Sequence, residues 1–153
     1  MSIIKKSIIF FFLIIIVGCG YKPVAETNKV DFYIGEINFD GDKTVNNIIS
    51  NNLKTYKKAN DNLKNYKILI STKYNKTISS KDRKGNPKNY NLNIKLELEV
   101  IKDLETKISK TFDRSILMSA NDSKIKERDS EKIYKKNLSK LLSDDIIFFL
   151  ITK

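Results

Sequence analysis

The sequence predicts an α+β domain: a two-layer sandwich in which a mostly antiparallel four-stranded sheet is covered on one face by two helices, in the order β-α-β-β-β-α. Three observations carry this expectation. The stretch NYNLNIKLELEVI alternates apolar and polar residues without a break, as a strand does with one face on a core and the other in water. Two other segments, TVNNIISNNLKTYKKAN and the C-terminal NLSKLLSDDIIFFL, space their apolar residues three and four apart, the period of an amphipathic helix. Between them, three strand-like stretches follow one another through short turns, which favours antiparallel pairing of neighbours.

The elements follow from the N-terminus. Lys5 and Lys6 precede ten apolar residues, Ile8 to Val17, and this order is that of a secretory signal, so residues 1–18 are assigned to a signal peptide. A membrane span needs roughly 20 apolar residues, about twice what is present. Val17-Gly18-Cys19-Gly20 stands where a cleavage site is expected and resembles the lipobox of bacterial lipoproteins. That resemblance implies that Cys19 is acylated and becomes the first mature residue. It is the only cysteine of the chain, so it has no internal disulfide partner, and a lipid thioether removes an otherwise free thiol. More than one acyl chain, at about 0.8 kcal/mol per buried methylene, makes such an anchor stable. Gly20, rather than an aspartate, follows it, which by the sorting rule of these lipoproteins implies the outer membrane.

Residues 19–29, polar and proline-containing, read as a lipidated tether, and residues 30–153 as one domain. The stretch VDFYIGEINFDGD is a strand with Val30, Phe32 and Ile34 on one face and Tyr33, Ile37 and Phe39 on the other, bent at Gly35 and ending in the turn Asp40-Gly41-Asp42. A helix follows, capped by Thr44 or Asp42, with the stripe Val45, Ile48, Ile49, Leu53 and Tyr56. After Asn60-Asp61-Asn62 the period becomes two, and Tyr66, Ile68, Ile70, Thr72, Tyr74 and Ile78 share a face. The polar loop SSKDRKGNPK leads to the strand of Tyr90, Leu92, Ile94, Leu96, Leu98 and Val100, whose other face carries Asn91, Asn93, Lys95, Glu97 and Glu99. A turn around Asp103 gives the last strand, with Ile108, Phe112, Ile116 and Met118 inward. The final helix begins at Asp122 or Ser123. Its stripe is Tyr134, Leu138, Leu141, Leu142, Ile146, Phe149 and Leu150, and its apolar end is expected to clamp on the sheet.

Composition excludes several functions. There are 29 Lys+Arg against 18 Asp+Glu, a formal charge of +11, and no histidine. Richness in lysine, isoleucine and asparagine is of the kind genome base composition imposes, so the charge alone does not name a partner. Export and the lack of aromatics interleaved with arginine argue against a nucleic-acid partner. Without histidine, and with Cys19 committed to lipid, no catalytic constellation is legible. The carboxylate pairs Asp40/Asp42 and Asp144/Asp145 read as turn and cap residues. Metal-ligand spacing and phosphate-binding glycine motifs are absent, and no cofactor is expected. An enzyme is not expected.

The mature start CGYKP, the element order and the closing LSDDI run resemble the LptE family of LPS-assembly lipoproteins, the plug subunit of the outer-membrane lipopolysaccharide translocon. The resemblance implies a periplasm-facing lipoprotein, membrane-bound through its lipid, that lodges in a large outer-membrane β-barrel partner, supports its assembly and helps deliver lipopolysaccharide to the outer leaflet. On that footing Asn91, Asn93, Lys95, Glu97 and Glu99 would face the barrel. Lys81, Arg83, Lys84 and Lys88 would meet the phosphates and carboxylates of the lipopolysaccharide; the bland reading of that loop is a solvated hairpin tip. The alternative to the plug is another envelope lipoprotein, either a barrel-assembly accessory or a scaffold binding peptidoglycan or another partner.

Overall fold

The first strand shows how these residues build the sheet. The computed structural model describes residues 30–57, 63–102 and 106–153; the signal, Cys19, the tether and the turn around Asp103 lie outside the described residues. Strand β1 (Phe32–Gly41) buries Phe32 and Ile34 and then shifts register between Ile34 and Glu36. The extra residue reverses the parity of the side chains that follow. Ile37 and Phe39, expected on the opposite face, therefore sit opposite Ile68 and Ile70 and pack against the same core as Phe32.

Helix α1 (Lys43–Leu53) starts on Asp42, whose Oδ1 accepts the Val45 N–H at 2.9 Å, so Asp42 rather than Thr44 is the cap. Its buried face is Val45, Asn46, Ile49 and Leu53, and it runs into a 3₁₀ turn, Lys54–Lys57, where Tyr56 stacks on Phe32 at 5.8 Å. α1 is a crossover, and β1 accordingly pairs parallel with β2 (Lys64–Lys81). β3 (Pro87–Lys102) and β4 (Thr106–Ser119) add on antiparallel, giving the order β1-β2-β3-β4. Helix α2 (Lys124–Ile151) closes the chain on a Ser123 cap, not Asp122. The α+β sandwich of four strands and two helices is as expected, and the core lies between the helices and one sheet face.

β3 supplies the centre of that core: Leu92, Ile94, Leu96, Leu98 and Val100 are at most 1% exposed. Two expected core positions behave differently. Ile78 has the right parity but is 49% exposed, beside a register shift between Ile78 and Ser80 at the hairpin end. Leu141 is 50% exposed, because α2 buries the line Leu138, Leu142, Ile146 and Leu150 and turns Ser139 and Ser143, both 0% exposed, toward the neighbouring packing surface. At the helix end Phe149 meets Phe112 edge-on at 6.2 Å, so the clamp forms there, while Phe148 points to solvent. No helix among the described residues is long and apolar enough to cross a membrane.

Candidate functional site

A sheet covered on one side leaves its other face bare among the described residues. Alternation puts Asn91, Asn93, Lys95, Glu97 and Glu99 of β3 on that face, between rows from β2 and β4. The central rows read Asn75-Asn93-Ser115, Lys73-Lys95-Asp113 and Ser71-Glu97-Thr111. Charges on the face are largely paired within it: Lys95 Nζ lies 2.7 Å from Glu97 Oε1 and Lys107 Nζ 2.8 Å from Glu99 Oε2, and Asn93 donates to Asp113. The Lys95 hydrogen bond holds the Glu97 carboxyl below its usual range, and the same bond holds the Lys95 ammonium above its own. Exposed pairs of this kind contribute little stability. Their consequence is a mainly polar surface with small Asn, Ser and Thr side chains and little net charge, on which Leu69 and Leu117 are exposed apolar members.

The cationic excess is displayed instead at the hairpin tip. The strands run further than expected, so the connection shrinks to residues 82–86, with Lys81 at the end of β2, Arg83 and Lys84 in the turn and Lys88 at the start of β3. Asp82 organises it: its Oδ1 accepts the N–H groups of Lys84 and Asn86, both at 2.8 Å, and its Oδ2 accepts from the Asn86 amide at 3.2 Å. Those bonds, the Asn86 N–H first, hold the Asp82 carboxyl below its usual range. The one acid of the loop is thus spent on the turn itself. Lys81, Arg83, Lys84 and Lys88 are brought together, all exposed, and none has an ion-pair partner among the described residues. Sheet face and tip share the β2–β3 ladder.

A third polar constellation escaped the sequence pattern. Lys76 occupies an inward position of β2, under α2, where its Nζ lies 3.0 Å from Glu127 Oε1 and 2.9 Å from Glu131 Oε2. The Tyr74 hydroxyl donates to Glu131 Oε1 at 2.7 Å, and Lys135 Nζ meets Asp42 Oδ2 at 2.9 Å. The legible signal was a lysine among inward-facing residues and two glutamates four apart on one helix face. The Lys76 hydrogen bond lowers the Glu127 carboxyl against the effect of burial. At Asp42 and Glu131 burial pushes upward but is overridden, by the Val45 N–H and Lys135 at Asp42, and by Lys76 and Tyr74 at Glu131. Burial and Glu131 together push the Tyr74 phenol up.

These shifts set a pH dependence. A carboxyl with a lower pKa folded than unfolded adds stability that is complete above its unfolded value, about 4, and lost as pH falls through the folded one. The urea midpoint should therefore stay level from pH 7 to about 5 and fall on further acidification. Glu131→Gln should lower the midpoint at neutral pH and flatten the acid limb; an equally steep limb would show that other carboxyls control it.

No protein-family model matches the chain, and no curated protein sequence does. Solved structures do resemble it. Rare lipoprotein B from Shewanella oneidensis superposes with a TM-score of 0.60 at 11% identity, covering 76% of this chain and 94% of that one. The solution structure of an uncharacterized lipoprotein B from Nitrosomonas europaea gives 0.54 at 14% identity, over 84% and 88%. A minor lipoprotein from Acinetobacter baumannii gives 0.52 at 11% identity, over 80% and 92%. At such identities it is the fold that is shared, and the chain has the fold of these bacterial lipoproteins.

Proposed function

We propose that this chain is a bacterial envelope lipoprotein, held to the outer membrane through acylated Cys19, whose body lodges in a large outer-membrane β-barrel, supports its assembly and assists lipopolysaccharide delivery. One observation carries the reading beyond the shared fold: a four-stranded sheet whose bare face is polar and internally charge-paired. Such a face suits the hydrated wall of a barrel lumen, where Asn91, Asn93, Lys95, Glu97 and Glu99 exchange water for barrel hydrogen bonds at little desolvation cost. An apolar partner would leave these groups unpaired. The unpaired cations of the tip complement a polyanionic glycolipid. The lipoproteins among the structures of similar fold, and the lipobox-like sequence at Cys19, support the anchoring.

The test of the plug is a mild-detergent pull-down of the tagged lipoprotein from its native membranes. A large outer-membrane barrel recovered near stoichiometry is expected; the lipoprotein alone, or with peptidoglycan-linked proteins, would sink the reading. The tip has its own prediction. Reversing Lys81, Arg83 and Lys84 to glutamate should weaken binding to lipopolysaccharide micelles at least about tenfold at low salt, with the melting curve unchanged. Unchanged binding would assign the tip to solvent.

A further inference from the structure

The two halves of α2 are held to the sheet by different forces. From Leu138 onward the helix buries Leu138, Leu142, Ile146 and Leu150, and Phe149 packs on Phe112. Over the first half, Ile125 and Ile133 are 73% and 59% exposed, and Tyr134 packs only partly buried against the core. What holds that half is the polar row of Glu127 and Glu131 on Lys76, Tyr74 on Glu131, and Lys135 on Asp42. Two cations also sit on aromatic faces, Lys135 over Tyr74 at 3.9 Å and Lys76 over Tyr90 at 4.2 Å. The row is partly in touch with solvent: the Lys76 and Glu131 side chains are 24% and 27% exposed, against 15% for Lys135 and 8% for Glu127. Salt therefore screens its more exposed members, whereas it leaves buried leucines unaffected, and partly exposed ion pairs grip less firmly than apolar packing.

We propose that residues 124–137 form a latched lid, which lifts from the sheet as a unit about a hinge near Leu138 while the rest of the domain stays folded. Segments with few buried apolar contacts open independently of the global transition, and this one is fastened chiefly by charge. The lid is fastened over Lys76 of β2, whose row continues through Leu92 and Ile116 beside Tyr90 and Met118. Beside it a cleft of about 420 Å³ opens between the hairpin base and the first turn of the helix, lined by Lys88, Tyr90, Asn121 and Glu127 among others. Lifting the lid joins that cleft to the Lys76 and Tyr90 surface adjoining the basic tip, which the closed form hides. The inference depends on neither the anchor nor the barrel.

The test is amide hydrogen exchange on the full-length lipoprotein in detergent micelles, at low salt and at about 0.5 M sodium chloride. Amides of residues 128–137 should exchange at least about tenfold faster than those of residues 140–150, and the gap should widen with salt. Lys76→Gln and, separately, Glu131→Gln should reproduce the widening at low salt. Leu142→Ala, by contrast, should raise exchange in both halves. Uniform protection along α2 would overturn the lid. So would a fast first half that ignores both salt and Lys76→Gln, since end fraying alone behaves that way.

Discussion

Replacing Gly41 with alanine is expected to destabilise the protein by roughly 3–5 kcal/mol, from about 1–2 for a left-handed backbone and the rest from overpacking. Gly41 ends β1 with φ +92°, and a Cβ built on it would lie 1.9 Å from the carbonyl oxygen of Thr72. That oxygen belongs to the backbone of β2, so no rotamer change relieves the clash. Separation of the strands there would also strain what Thr72 holds together. Asp42 N–H donates to the Thr72 carbonyl and to its hydroxyl, both at 3.1 Å, and the hydroxyl donates to Asn46 Oδ1 at 2.7 Å. Asn46 in turn donates to the Asp40 carbonyl at 3.0 Å. The β1–α1 junction is thus one hydrogen-bonded knot with Gly41 at its tightest point. Gly85 supplies the control: its φ is +86°, but nothing lies within 4 Å of an added Cβ. Gly85→Ala should cost only about 1 kcal/mol. Equal urea midpoints for the two variants would refute the steric account.

That knot shows what the sequence discloses and what it withholds. Asp40-Gly41-Asp42 was legible as a turn because glycine and aspartate have local conformational reasons to be there. The reason for glycine in particular lies with Thr72, thirty-one positions on, and no local pattern carries it. β3 was legible throughout because both its strand neighbours are present and its inner side is wholly apolar, so alternation and burial coincide. In β1 the alternation misleads at one point, since a single bulged residue at Gly35 reverses all later parity. The spacing from Ile34 to Ile37, three rather than two, was the trace it left in the chain.

The proposed sites divide along similar lines. The outer face of β3 could be read from alternation, and the tip cations from their crowding around Gly85-Asn86-Pro87. Their mutual placement also followed, because one antiparallel ladder joins them. The Lys76 cluster did not follow, because an apolar count passes over a lysine between Tyr74 and Ile78, and the glutamates that pair with it lie some fifty residues away. Buried polar groups are specified by distant partners, and apolar periodicity is blind to them.

Ser143 is a second such group, and its enlargement is expected to cost nearly as much as Gly41→Ala. Ser139 and Ser143 sit one turn apart on α2, both 0% exposed. Each hydroxyl is returned to its own helix, Ser139 to the Lys135 carbonyl at 2.8 Å and Ser143 to the Ser139 carbonyl at 2.9 Å, and Ser143 also accepts from Asn52 of α1 at 3.1 Å. A small side chain that satisfies itself lets the two helices meet closely without leaving a buried donor unpaired. Ser143→Ala keeps the size, loses a hydrogen bond and gains helix propensity, so a change within about 1 kcal/mol is expected. Ser143→Leu has no space to occupy. It should push α1 from α2 and lose roughly 2–4 kcal/mol, the cost of overpacking plus the Asn52 contact. Urea unfolding of both variants separates the explanations. If alanine is as damaging as leucine, the hydrogen bond to Asn52 governs the seam. If leucine alone unfolds the protein early, the position is held by size, which is why a serine stands there beside the line of Leu138, Leu142, Ile146 and Leu150.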